Sequence, residues 1–520
     1  MTGPRKLFVR SAVTIAIVAV AVAIFASSAS AQSASSGGTS QAAPLPLSGR
    51  SAQSGSVTTA ESPVAGTTSS VNTLNPTVQV SGAFTGSTNS AAKMPFSGKL
   101  SLHEAVQRAI AYNLGGIGTS LAARQAEGQV RVARSALLPN INGDIAETIE
   151  QVNLKTFGFR LSVPIPGFSI PSVVGPFSYV DFRASMTQTV ADLTALNNYR
   201  SSKETLRANQ FAALDARDLV VLAVGGAYLQ VIAAEARVVS AHAQLDTANR
   251  LFNETQLQYQ SGKVPPIDAN QSQVQALTQQ QRLVTLENDV AKKKIILARL
   301  VGLPATNQYD ITDDVPYSPL PALTVEDALK QAYDQRADLK AADAQVHAAE
   351  RSFAAARAER LPSLSVNGDV GEIGTNPAQA RTTYTAAATL RVPIWQGGRT
   401  GGDIEQAEAA LSQRRAELED LKGQIEADVR NAYLDLQAAT SQVELSQKNV
   451  QLSQETLNQS RMRFEAGVTH NLEVVQSQES LASAEQDYVD AVFAHNIAKL
   501  DLARALGRAA DSLPQFLKMQ

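Results

Sequence analysis

The sequence predicts a mainly α-helical protein with a membrane β-barrel portion: long antiparallel coiled-coil helices plus four β-strands per protomer, built by internal duplication. Three observations predict it. A 3.5-residue apolar series runs through helices too long for a globular core, the series recurs 205 positions away, and period-two segments separate the helices.

From Asp403 to Phe464 there is no proline and a single glycine, Gly423, so one continuous helix is allowed. Within it runs Val429, Ala432, Leu436, Ala439, Val443, Ser446, Val450, Ser453, Leu457, Ser460, Phe464. The larger member recurs every seven residues and the one between is Ala or Ser, which lets neighbouring helix backbones approach closely. The series Val224, Ala227, Val231, Ala234, Val238, Ala241, Leu245, Ala248, Phe252, Thr255, Tyr259 repeats it 205 positions earlier, with every size class kept. A period this long lies outside solenoid repeats and means two large tandem halves.

Few aromatics (5%) and abundant Ala, Gln and Ser suit long helices better than a compact core, and the net charge of −3 argues against nucleic acid as a partner. The absence of cysteine excludes disulfides, thiolate metal sites and lipid attachment through an N-terminal Cys. Arg5, Lys6 and Arg10, an apolar run from Ala12 to Ala26, and Ala29-Ser-Ala31 predict a secretory signal peptide over 1–31. The alternative is an uncleaved anchor, for which the run is short. Residues 32–97 are rich in Ser, Gly, Thr, Ala and Pro with almost no charge, and are expected to be a disordered low-complexity tail.

The first half is expected over 98–302, a linker over 303–322, the second half over 323–507, and a short tail over 508–520. Each half opens on a capped amphipathic helix, at Ser101-Leu-His-Glu104 and at Thr324. A second helix follows and stops before Pro139 or Pro362. The period then becomes two. Phe182, Ala184, Met186 and Val190 alternate with Arg183, Ser185, Thr187 and Thr189; Tyr384, Ala386, Ala388, Leu390, Val392 and Ile394 alternate with Thr383, Thr385, Ala387, Thr389 and Arg391. Residues 141–157 and 364–373 are their antiparallel mates, across loops 158–178 and 374–381.

One apolar and one Ser/Thr/Arg face fit either a sheet packed on a core or a membrane barrel with apolar residues to lipid. The secretory signal and the lack of another partner for the sheet favour the barrel, and Trp395 sits where such a strand would leave the bilayer. On that reading Arg183 and Arg391 line the lumen; ordinary surface charge is the alternative. Four strands cannot close a barrel and open edges are not tolerated in lipid, so copies must share one: two give eight strands, three give twelve. The helices over 198–261 and 403–466, each on the order of 95 Å long, exceed the bilayer and must project into aqueous space. Each ends at a glycine, Gly262 or Gly467, and a return helix begins within a few residues.

The layout resembles the outer membrane efflux protein family, the TolC-like channels. The matching residues are Phe464-x-x-Gly467-x-x-x-x-Leu472-Glu473-Val-Val475, its copy Tyr259-x-x-Gly262-x-x-x-x-Ile267-Asp268, and Val392-Pro-Ile-Trp-Gln-Gly-Gly398. The resemblance covers about 98–510. It implies a homotrimer with a twelve-stranded barrel in outer membrane lipid, continued by an α-barrel tunnel into the periplasm. It also implies docking to a periplasmic adaptor protein and an inner-membrane transporter, with no cofactor and no catalytic site. The turn glycines and the start of each return helix would form the periplasmic aperture, so the residues carried over are Gly262, Asp268, Gly467, Glu473 and Gln476. Gln476 stands where the family pattern has an acid, and Pro265-Pro266 stiffens the first turn. For Asp268 and Glu473 the alternative role is capping and macrodipole stabilisation in a first helical turn.

Other signals carry no chemistry. Gly397-Gly-Arg-Thr-Gly-Gly402 lacks the Gly-Lys-Ser/Thr ending of a phosphate loop and reads as a bend between barrel and tunnel. The five histidines form no ligand-spaced pair, and the Gln-rich run 271–281 reads as a solvated helix face. The remaining alternative for the whole chain is a secreted or periplasmic coiled-coil scaffold.

Overall fold

The computed structural model of the chain describes residues 56–64, 73–88, 96–157, 172–306, 308–313, 315–319, 323–469, 471–507 and 509–510. They form, in order, β1 (Val57–Val64), β2 (Thr73–Val80), β3 (Lys99–Leu100), α1 (Leu102–Tyr112), α2 (Leu114–Ser135), β4 (Asn140–Asn153), β5 (Val173–Ala191), α3 (Leu193–Gln260), α4 (Pro266–Val301) and β6 (Asp310–Ile311). The second half follows as α5 (Val325–Gln335), α6 (Ala337–Ala358), β7 (Ser363–Gly374), β8 (Arg381–Arg391), α7 (Arg399–Glu465) and α8 (Asn471–Ala505). The expected signal, 1–31, and residues 511–520 lie outside the described residues.

The rods α3 and α7 have 68 and 67 residues, about 100 Å each at the α-helical rise. The Asp192 carboxylate starts α3 by accepting the Thr194 and Ala195 N–H groups at 2.8 and 3.0 Å. Gly398, at φ 88°, starts α7. Apart from Tyr259, every residue of the two 3.5-residue series is buried or half-buried. The rods pack on their return helices, α3 on α4 and α7 on α8, and α3 also packs along α2, α6 and α8.

The main core is a waist where α1, the middle of α3 and the ends of α4 and α8 meet, with Leu219–Leu229 buried as a block. This stretch makes α3 apolar enough by composition to cross a membrane, yet most of it is buried inside the chain. The second half repeats the core: Ala328, Ala332, Val429 and Leu502 pack together as Ala105, Ala109, Val224 and Leu297 do. Both openings are capped as expected, with Ser101 Oγ accepting from Glu104 N–H and Thr324 Oγ1 from Asp327 N–H, each at 3.2 Å.

The four expected strands form one antiparallel sheet in the order β4-β5-β7-β8, leaving β4 and β8 as edges. One strand boundary moves into an expected loop. β5 begins at Val173 inside the expected loop, because the ladder to β4 continues to Asn153↔Val173. It passes Pro176 at a register shift opposite Glu150 and Val152, a place where proline costs no ladder bond.

The expected disordered tail is corrected over its described part. β1 and β2 form an antiparallel hairpin, and Val57 and Phe84 are buried in the waist core. Composition missed it because a few apolar residues suffice when the docking surface is supplied by other helices. The expected linker also contributes structure, since β6 pairs in parallel with β3.

Candidate functional site: a two-faced sheet and a helical tip

The register places the alternating residues of all four strands on common faces. One face carries Ile145, Phe182 and Glu372 in one row, then Ala184, Val370 and Tyr384, then Ile141, Met186, Gly368 and Ala386. The row of Val366 and Ala388 and the row of Leu364 and Leu390 extend it. The opposite face carries Asp144, Arg183, Gly371 and Thr383, then Ser185, Asp369 and Thr385, and ends at Arg391. Ile145 and Tyr384 are 78% and 81% exposed in the single chain, so among the described residues nothing covers the apolar face there. An exposed apolar sheet face of this extent marks a surface that a membrane or another chain covers.

Arg183 and Arg391 share the polar face. Arg183 is ion-paired there with Asp181, at 3.2 Å, and with Asp369, and its second terminal nitrogen lies 3.3 Å from Thr383 Oγ1. Arg391 is exposed at the helix-side end of β8. Trp395 follows it on the connection to α7 and is 87% exposed, beside Ile394 at 94%.

At the far end of the rods, Gly262 and Gly467 take φ of 73° and 72°, a left-handed turn that suits glycine. Asp268 lies half-buried in the first turn of α4. Glu473 lies in the first turn of α8, accepts a hydrogen bond from Thr469 Oγ1 and faces Arg463 Nε at 3.7 Å. Its carboxylate is thus engaged within its own hairpin, as a first-turn acid should be. Gln476 points outward and is exposed. The geometry brings the two turns together through Asn471, which is fully buried and donates from Nδ2 to the Asp268 backbone carbonyl at 3.2 Å.

Sequence reading missed Asn471 and two buried hydroxyl pairs. Thr255 and Ser272 share a hydrogen bond of 2.5 Å, and Ser460 and Ser477 one of 2.9 Å. These pairs are copies at the 205 offset, so comparing both return helices would have found them. They fasten each rod to its return helix one or two turns from the tip. The Gln-rich run is solvated as expected at Gln271, Gln273, Gln280 and Gln281, but Gln275 and Gln279 are buried, while Val274 and Leu277 are 63% and 56% exposed. With exposed Ile267 and Val284 these residues form an apolar stripe at near-heptad spacing along α4.

A buried ionic junction joins the halves at the waist. Arg504 of α8 donates to Asp215 of α3 at 2.5 Å. Arg336, between α5 and α6, pairs with Asp338 at 2.7 Å and with Asp428 of α7 at 3.0 Å. Burial holds the Asp215 carboxyl above its usual range against the pull of Arg504. At Asp338 burial also pushes upward, but the hydrogen bond and charge of Arg336 outweigh it and hold that carboxyl low.

Among the described residues no group of His, Cys, Asp and Glu is placed to hold a metal ion. The glycines of 397–402 form the entry to α7, with Gly397 and Gly398 at positive φ.

The profile of the family described as outer membrane efflux protein matches residues 119–303 and 328–508, one segment in each half. The pyoverdine export outer membrane protein OpmQ of Pseudomonas aeruginosa is 24% identical over 420 residues, covering 78% of this chain and 85% of its own length. The outer membrane protein TolC of Escherichia coli is 21% identical over 341 residues, covering 62% and 68%. The crystal structure of the outer membrane protein VceC from Vibrio cholerae has the same fold, with a TM-score of 0.67 at 19% identity over 78% of this chain and 96% of VceC.

Proposed function

The chain belongs to the outer membrane efflux protein family, and we propose that three copies of it enclose one continuous passive duct across the outer membrane and the periplasm. Members of this family are outer membrane channels of efflux and export systems, not enzymes. The observation that carries the trimeric reading is the four-stranded sheet, apolar on one face, polar on the other, with both edge strands unpaired. In hydrocarbon those edges must be paired, and twelve strands from three chains close a barrel. The exposed apolar stripe on α4 supports the same assembly, since a neighbouring rod would cover it.

In this arrangement the Arg183–Asp369 face lines the lumen, with Arg391 at its periplasmic mouth, and Trp395 sits at the membrane interface. The rods form an α-barrel whose tip, at Gly262, Asp268, Gly467, Glu473 and Gln476, narrows the passage and docks a periplasmic adaptor. An inner-membrane transporter supplies the energy.

Planar-bilayer conductance of the purified protein tests the reading: discrete channels are expected, whereas a protein that is soluble without detergent and does not conduct would be a scaffold. Glu473→Ala frees Thr469 and Arg463 from their carboxylate and is expected to raise conductance. Conductance equal to wild type at every pH would remove Glu473 from the aperture.

A further inference from the structure

One element breaks the twofold repetition of the chain. The hairpin β1–β2 and the turn after it, up to Thr88, dock on the waist and have no counterpart among the described residues of the second half.

The docking surface is cut to receive this segment. Gly226 lies in the middle of α3, where glycine costs about 1 kcal/mol relative to alanine. A Cβ there would collide with the Val78 side chain of β2. Gly115, in the first turn of α2, is the second socket, because a Cβ would enter the Phe84 ring. The corresponding residues of the second half are Asn431 and Asp338, so neither socket is copied. The glycines answer to this segment and not to the shared helical design.

The segment then ties elements of both halves. Thr59 Oγ1 donates to Asp501 Oδ1 of α8 at 2.6 Å, which is a bond from the N-terminus to the second half. Ser87 Oγ donates to the Arg299 carbonyl near the end of α4 at 2.5 Å. Asn113 Nδ2, between α1 and α2, donates to the Phe84 carbonyl at 2.8 Å, and Leu114 N–H to the Gly86 carbonyl at 2.9 Å. β2 itself lies against both α3 and α8. Next to this contact Gly225 lets Leu500 of α8 close on α3, where a Cβ would stand 2.9 Å from it.

We propose that residues 56–64 and 73–88 form a clamp that fixes α8 of the second half against α3 of the first at the waist, and thereby holds the tunnel in its closed arrangement. The rods run unbroken from the waist to the tip, so a small rotation between α3 and α8 at the clamp is carried about 50 Å along them. Releasing the clamp leaves the sheet, the tip residues and the Arg504–Asp215 junction unchanged but removes one of the ties between α8 and α3, so that the two halves turn against each other more readily. This inference rests on the channel reading, and wild-type conductance tests that reading separately.

The test compares Gly226→Ala and Thr59→Val with wild type. Gly226→Ala improves the intrinsic helix propensity of α3, so any loss comes from expelling Val78. Thr59→Val removes only the bond to Asp501. Chymotrypsin cleavage after Phe84, which is 2% exposed, reports release of the segment, and open occupancy in planar bilayers reports gating. Both variants are expected to speed cleavage and to raise open occupancy, roughly fivefold for the single lost hydrogen bond. Faster cleavage with wild-type gating overturns the clamp, and so does a segment that stays protected in both variants. Should Gly226→Ala fail to assemble, the same two readouts on Thr59→Val decide. Wild-type protein that does not conduct would instead count against the channel.

Discussion

Replacing Arg504 by methionine is expected to destabilise the chain by about 3–5 kcal/mol, because it leaves a buried carboxylate without its counter-ion. Asp215 is 9% exposed in its side chain and Arg504 is its direct partner. The methionine keeps the packing volume of the arginine stem, so the loss reports the charge. The pH dependence has a definite sign. Burial already holds the Asp215 carboxyl above its usual range in the folded chain, and without Arg504 it rises further. A group raised on folding stabilises the fold while protonated and loses that contribution as pH rises through its folded value. The variant should therefore lag wild type less at pH 5 than at pH 8. Thermal melts followed by circular dichroism at the two pH values measure this. A deficit that is equal at both would mean that Asp215 is not the group left unpaired.

Ile145→Arg is expected to cost about 2–4 kcal/mol, the penalty for an arginine facing lipid near mid-membrane in a barrel. Its neighbour Asp144 lies on the opposite face, in the row of Arg183. Asp144→Arg is expected to leave assembly intact and to change only ion selectivity, because in the proposed barrel that face meets water. The two substitutions add the same residue to adjacent positions of one strand, so their difference reports which face meets hydrocarbon. Recovery of each from outer membrane fractions as a heat-labile oligomer measures it. Equal recovery would contradict the assignment of the apolar face to lipid.

Much of this architecture is legible in the sequence because it is written twice. The 3.5-residue series names the seams of α3 and α7, and their burial follows it almost residue by residue. The turn glycines Gly262 and Gly467 and the prolines that stop α2 and α6 are local signals whose physics needs no tertiary context. What was hidden depends on partners distant in sequence. The hairpin β1–β2 and the turn after it have the composition of a tail and are ordered by sockets at Gly226, for Val78, and at Gly115, for Phe84. Gln275 and Gln279 turn inward while Val274 and Leu277 turn outward, and composition alone reverses that choice. Asn471 joins the two tip turns through a bond to the Asp268 backbone, which no side-chain pattern announces. The two candidate acids at the tip were visible, but that Glu473 is held by Thr469 and Arg463 within its own hairpin was not.

The central claim is that a chain with two unpaired strand edges closes its barrel only with its sisters. Native mass spectrometry of the detergent-extracted protein tests it most directly. The expected result is a complex with the mass of three chains that separates into unfolded single chains on heating. A stable folded monomer, or a protein that stays in solution as a single chain without detergent, would contradict it.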